Sequence, residues 1–322
     1  MKPEDNESAV PSSMERGTKR TGWMVVSRRP GGEAIGIPWM AVRGIREGPV
    51  LAVNGGVHGD EYDGSEAIRQ VWAELTPEQL QGTWIGVPVV NVPAYEAGNR
   101  FSPLDGLNLN RIFPGDGTPT ISGMIARCYF REVVLKSNAV LDLHSGGNPL
   151  SMLPLVAFSQ ASEESLALAR QTGAEVLWEM PPAWSGALCV AASAAGVPTV
   201  TPEIGNDGRL DPKAVARCRE VIMNVMAAMG QVDQAPPRPP YRQQIVRGSF
   251  IPASVGGMFQ PVVRLGESVV RGRMVATIRD MFGAVVEEIR APTDGLVCSY
   301  RTIPPILPGD QTVLVGEIVT AG

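Results

Sequence analysis

Two histidines occur among the 322 residues, and both stand where a reactive site can be built. His58 belongs to Val53-Asn54-Gly55-Gly56-Val57-His58-Gly59-Asp60-Glu61, an apolar run that meets a glycine-rich turn and carries a glutamate three positions on. In a turn, an i, i+3 pair can aim an imidazole nitrogen and a carboxylate oxygen at one point. Both atoms are good zinc ligands at about 2.0–2.2 Å. His144 belongs to Ala139-Val140-Leu141-Asp142-Leu143-His144-Ser145-Gly146-Gly147, where another apolar run ends in polar residues and a glycine turn. Sites in open α/β sheets form just beyond the carboxyl ends of strands. His58, Glu61 and His144 would leave a fourth coordination position for water, which is the catalytic rather than the structural zinc pattern. Asp142 shares a face with His144 if both are extended. It either orients the imidazole from behind or is an ordinary hydrogen-bonded strand end.

Two further groups could complete such a site. The stretch from Asn91 to Thr118 is polar and rich in Gly and Pro, and structureless connections beyond about 15 residues are uncommon unless functional. It carries Arg100 and, in Asn108-Leu109-Asn110-Arg111-Ile112-Phe113-Pro114-Gly115, a second arginine beside an asparagine. A guanidinium can hold a carboxylate through two bonds, and Asn110 can add a donor. Arg100 could stabilise oxyanion charge at a carbonyl, although arginines in loops commonly face only solvent. In Thr199-Val200-Thr201-Pro202-Glu203-Ile204-Gly205 a short strand ends in a carboxylate. Glu203 could take a proton from water and return it to a leaving amine, or serve merely as a capping or loop residue.

The elements that must position these residues alternate. Strands are expected at Met24–Ser27, Ile37–Val42, Val50–Val53, Trp84–Val90, Ala139–Leu143 and Thr199–Thr201, with Pro88 a weakness in the fourth. Helical spacing covers Ser65–Leu75, Ile121–Lys136, Ser162–Thr172, Leu188–Ala195 and Pro212–Met229. This alternation implies an α/β catalytic domain with a largely parallel sheet over 22–235. Residues 1–21 read as a disordered tail and 236–243 as a stiff Pro-rich linker. From 244 to 322 no helical period is visible and short Val- and Ile-rich runs recur, which is the signature of a small all-β domain.

Composition excludes several classes. Apolar residues make up 44% and charged residues 19% of the chain, an ordinary globular balance. A net charge of −5 gives no support for nucleic acid or an anionic membrane as partner. No apolar run approaches the roughly 18 residues of a membrane span, and no secretory signal is visible, so a cytoplasmic location is expected. Cys128, Cys189, Cys218 and Cys298 are far apart and are expected to be reduced thiols.

The ordered set His58-Gly59-Asp60-Glu61, Asn108-Leu109-Asn110-Arg111-Ile112-Phe113-Pro114-Gly115, Asp142-Leu143-His144 and Glu203 resembles the succinylglutamate desuccinylase/aspartoacylase family of zinc carboxypeptidase-like hydrolases. The resemblance extends over about residues 22 to 322. It implies an α/β/α sandwich with a mixed sheet and a single Zn2+ on His58, Glu61 and His144. It further implies Asn110 and Arg111 as holders of the substrate α-carboxylate, Arg100 as polariser of the scissile carbonyl and Glu203 as general acid/base. The implied activity is zinc-dependent deacylation of a small N-acyl amino acid, with N-acetyl-diaminobutyrate a specific example. The alternatives are a carboxypeptidase acting on a small peptide, or a catalytically silent metal-binding protein with a partner-binding β-domain. Two departures stand out: Asn108 replaces the aspartate of many members, and Ile204-Gly205-Asn206-Asp207 lacks the double glycine common after the glutamate. The C-terminal segment resembles biotinyl/lipoyl half-barrels. It cannot carry an acyl group on an amine, because no lysine follows Lys213, which leaves packing, homo-oligomerisation or shaping of the site as its role.

Overall fold

The computed structural model describes residues 14–235 and 241–319. The first part contains β1 (Thr18–Arg28), β2 (Ala34–Arg43), β3 (Arg46–Asn54), α1 (Asp63–Glu74), β4 (Gln81–Val87), α2 (Val92–Glu96), α3 (Ile121–Glu132), β5 (Ala139–Asp142), β6 (Leu150–Met152), β7 (Leu155–Ser159), α4 (Glu163–Gln171), β8 (Val176–Met180), α5 (Leu188–Ala194), β9 (Thr199–Glu203) and α6 (Pro212–Ala228). The second contains β10 (Gln244–Arg247), β11 (Phe250–Pro252), β12 (Gly257–Pro261), β13 (Ser268–Val269), β14 (Met274–Arg279), β15 (Val285–Arg290), β16 (Gly295–Arg301), β17 (Pro305–Ile306) and β18 (Gln311–Val319).

The main sheet runs β1-β2-β4-β3-β5-β9-β7-β8 before continuing into the C-terminal strands. Its centre is parallel across β4, β3, β5 and β9, and β7 enters antiparallel to β9. The central strands read as continuous apolar runs because both faces are covered. Leu51, Val53 and Leu141 pack with α1, α4 and α6 on one side, while Ala52 and Val140 pack with α3 and α5 on the other. The period-2 alternation of the strands therefore supplies two cores at once, and the result is a three-layer α/β/α sandwich with a mixed sheet.

Several boundaries differ from those expected. Ordered chain begins before residue 22: β1 starts at Thr18, and Met14 is buried against the α3 side of the sheet. The run expected as a strand to Val90 ends at Val87, directly before Pro88, which has no N–H to give a ladder. Strand β9 instead extends through Pro202 to Glu203. Strands β7 and β8 were not foreseen; their five-residue apolar runs, Leu155-Val156-Ala157-Phe158-Ser159 and Val176-Leu177-Trp178-Glu179-Met180, are short and lack alternation. The expected tail before residue 14 and the prolines at 236–240 lie outside the described residues.

The C-terminal strands form a small antiparallel sheet, β15-β14-β12-β17, and also extend the main one. Strand β10 lies parallel to β8, β18 lies antiparallel to β10, and β6 pairs with β16. The all-β unit is thus joined to the main sheet by backbone hydrogen bonds.

Candidate metal centre

Adjacent strands β3, β5 and β9 end at one edge of the sheet and deliver the predicted residues together. His58 and Glu61 lie in the turn between β3 and α1, His144 lies two residues beyond β5, and Glu203 ends β9. A parallel bridge pairs His144 with Glu203 in register. The turn after β3 is tight: Gly56 has φ +59°, and a Cβ on Gly59 would collide with the Ala94 backbone.

One donor atom from each of His58, Glu61 and His144 lies within 4.8 Å of the others. Glu61 presents one oxygen to each imidazole: Oε1 is 2.8 Å from His58 Nδ1, and Oε2 is 2.8 Å from His144 Nδ1. Each outer ring nitrogen has a side-chain oxygen near it. His58 Nε2 is 3.1 Å from Asn108 Oδ1, an oxygen that also accepts from the Asn110 backbone N–H at 2.9 Å. His144 Nε2 lies 3.1 Å from Asp142 Oδ2, a charge contact without hydrogen-bond geometry. With Asn108 Oδ1 behind it, a neutral His58 carries its proton on Nε2 and turns its Nδ1 lone pair toward Glu61 Oε1. Lone pairs that face each other across 2.8 Å are what a cation between them would satisfy, and with His144 Nδ1 2.8 Å from the second Glu61 oxygen the three residues supply a nitrogen and oxygen donor set that fits a divalent metal.

The electrostatics bear on the same point. Burial, aided by the Arg100 charge, lowers His58 to about 4 and keeps it neutral. Burial alone would also lower His144, but Asp142 and Glu61 outweigh it and hold the ring well above its ordinary range. Burial would raise Glu61, yet His58 and then His144 hold it well below. Asp142 is itself fixed by a buried chain: Asn54 Nδ2 donates to Asp142 Oδ1 at 2.6 Å, and the Tyr129 hydroxyl donates to Asn54 Oδ1 at 2.7 Å.

The remaining predicted residues gather at the same pocket. His58, Glu61, Arg100, Asn110, Arg111 and Glu203 all line it. Arg100 Nη1 donates to Glu61 Oε1 at 3.0 Å. Asn110 sits in a 3-10 turn, Leu109–Arg111, and its Oδ1 accepts from Leu188 N at 2.8 Å, leaving its amide N–H groups for a ligand. Asn108 thus ties His58 to the turn that presents Asn110 and Arg111. Arg111 stacks on Trp184, with Cζ 4.6 Å from the ring centroid. Sequence reasoning missed the pocket residues on β6 and β8 (Met152, Trp178 and Met180), and also Trp184, Phe250 and Gln311. No motif marks them; only the aromatic and methionine content of those short runs hinted at a wall.

Glu203 differs from its neighbours. Among the described residues no group hydrogen-bonds its side chain, and its Oε2 is buried without a partner. Burial pushes its carboxyl up to about 8, against the opposing pull of His144. Between its ordinary 4.5 and about 8, the fold keeps a proton that the unfolded chain has released. Stability of the metal-free protein should therefore fall as pH rises through that window. Thermal unfolding of chelated wild type and Glu203→Gln at both ends of the window checks this. The variant should gain on wild type as pH rises; equal pH slopes would contradict the buried, proton-holding carboxyl.

The model of the succinylglutamate desuccinylase/aspartoacylase catalytic domain matches residues 47–229. An N-alpha-acetyl-L-2,4-diaminobutyric acid deacetylase of Halomonas elongata is 35% identical over 285 residues, spanning 85% of this chain and 83% of that protein. The product-bound ectoine utilization protein EutE of Ruegeria pomeroyi superposes with a TM-score of 0.86 at 27% identity, covering 94% of this chain and 96% of that one. A succinylglutamate desuccinylase/aspartoacylase of Rhodobacter sphaeroides gives 0.85 at 26% identity, over 95% and 98% of the two chains.

Proposed function

The chain belongs to the succinylglutamate desuccinylase/aspartoacylase family of amide hydrolases, and from that premise we propose that it removes the acyl group from a small N-acyl amino acid with the help of a bound zinc ion. The observation that carries this reading is the convergence at one pocket of a His-Glu-His group that could hold a metal ion, an adjacent asparagine and arginine, and an unpartnered buried carboxyl. The deacetylase relative favours this direction over a carboxypeptidase, and N-acetyl-diaminobutyrate enters as one substrate to be tried. Among the described residues no helix is long and apolar enough to cross a membrane.

His58, Glu61 and His144 would hold the zinc, which supplies Lewis-acid polarisation and brings the ionisation of water near neutral pH. The chain's own groups do the rest. The Arg111 guanidinium and the free amide N–H groups of Asn110 hold the substrate carboxylate and so orient the scissile bond. Glu203 removes a proton from the attacking water at its unpartnered Oε2 and returns it to the amine as the C–N bond breaks. Arg100, 3.0 Å from Glu61 Oε1, places a positive charge beside the carbonyl oxygen as negative charge develops there.

Arg111→Ala separates binding from chemistry. KM for an N-acetyl amino acid should rise about tenfold or more, with kcat changed far less, because the carboxylate is held equally in the ground and transition states. Steady-state kinetics on both enzymes measures this. An unchanged KM would remove Arg111 from the carboxylate site.

A further inference from the structure

The pocket has a second, apolar part that the proposed chemistry does not use. Leu150, Met152, Trp178, Met180, Trp184 and Phe250 contribute to its lining. Trp178 is the hub: its ring meets Trp184 edge-to-face at 5.5 Å and Phe250 at 6.4 Å. The Trp178 Nε1–H is spent on the Gly248 carbonyl at 3.0 Å, so this indole offers only carbon to a ligand. Phe250 lies on β11 and Gln311 begins β18, so the C-terminal unit completes the wall.

The wall adjoins the carboxylate-binding pair directly, because Arg111 is stacked on Trp184. A group attached to the carbon that bears the carboxylate would therefore meet this surface. The charges nearby are already committed. Glu61 faces two imidazoles and Arg100, and Glu203 is reserved for proton transfer. Glu179, on the other face of β8, pairs with Arg247 at 2.9 Å. Among the described lining residues no further carboxylate remains for a substrate ammonium and no third cation remains for a second carboxylate. The Trp184 face, where a cation could otherwise rest, already meets the Arg111 guanidinium. The remaining polar lining groups, Ser145, Thr201 and Gln311, are neutral.

We propose that the preferred substrates are N-acyl amino acids with a neutral apolar side chain of methionine, leucine or phenylalanine size, seated against Trp178, Met180 and Phe250. This rests on the deacylase reading and narrows it away from the diaminobutyric acid named for the Halomonas relative. Burying an unpaired ammonium or carboxylate on such a wall is costly, whereas burying a thioether or phenyl group is favourable.

The test uses the full, zinc-loaded chain and compares kcat/KM for the Nα-acetyl derivatives of L-methionine, L-leucine, L-alanine, L-aspartate and L-2,4-diaminobutyrate. Methionine and leucine derivatives should exceed the two charged ones by about tenfold or more. In Phe250→Ala the methionine-to-alanine ratio should fall by about tenfold. Gln311→Glu, an isosteric change that adds a carboxylate to the lining, keeps the test open if Phe250→Ala fails to fold. It should raise the diaminobutyrate-to-methionine ratio severalfold. A preference for diaminobutyrate or aspartate in the wild type overturns the inference and leaves the deacylase reading standing. So does a kcat/KM that is the same for all five side chains. If the zinc-loaded protein releases amine from none of the five, the deacylase reading itself fails and takes the inference with it.

Discussion

Glu203→Ala should lower kcat by about 10²–10⁴-fold, the range a positioned acid/base group supplies, while zinc remains bound at the wild-type level. The expectation follows from how Glu203 is held. Strand β9 ends on it, next to the strand that leads to His144, so its backbone is fixed by the sheet. Among the described residues nothing hydrogen-bonds its side chain, and one oxygen is buried without a partner, an arrangement that costs stability and that a role in proton transfer accounts for. A carboxyl that burial has pushed up to about 8 can both accept and release a proton near neutrality. Entry of a cation beside it would favour the ionised, basic form. Glu203→Gln keeps the shape and removes the basicity, and it should lose kcat to a similar degree. Steady-state kinetics with metal analysis of the same samples decides the matter. Near-wild-type kcat in either variant would remove the acid/base role from Glu203.

The second large effect is expected at His144. In His144→Ala one ring nitrogen of the ligand set disappears, and bound zinc and amide hydrolysis should both fall to background. Asp142, fully buried, then keeps its hydrogen bond from Asn54 but loses the imidazole that offsets its charge. The variant should also be destabilised, because removal of one partner from a buried ion pair typically costs about 3–5 kcal/mol. Chelation separates this loss from loss of metal. A ligand present at about 100 times its Kd stabilises a fold by about 2.7 kcal/mol, so chelator should lower the melting temperature of zinc-loaded wild type and leave that of His144→Ala unmoved. Retention of a full zinc equivalent by the variant would contradict the ligand assignment.

The site was far more legible in the sequence than the pocket around it. With only two histidines, each at the junction of an apolar run and a glycine turn, the sequence held little ambiguity about where ligands would come from, and His58, Glu61 and His144 do converge. Strand alternation puts Asp142 on the same side as His144 but leaves open whether it supports the imidazole or is an ordinary strand end, and the structure brings its Oδ2 to 3.1 Å from His144 Nε2. Asn108 was conspicuous as a departure from the family's usual aspartate, but its contact with His58 Nε2 spans 50 positions of sequence, and local spacing cannot report that. The aromatic wall was invisible for a related reason. Trp178, Trp184 and Phe250 come from separate elements, and Phe250 arrives only because β10 docks beside β8. For fold class, alternation of apolar runs and helical spacing was enough. The direction of β7, antiparallel to β9, depends on connections whose strands are too short and too uniformly apolar to distinguish from buried helix by pattern.

The most direct measurement of the central claim is amine release from an Nα-acetyl amino acid by the purified full-length chain, run in parallel on zinc-loaded, chelated and zinc-restored samples. Multiple turnovers are expected with zinc, with loss of activity on chelation and recovery when zinc is returned. Equal turnover in the chelated sample would contradict metal dependence, and no turnover in a sample holding a full zinc equivalent would contradict the deacylase assignment.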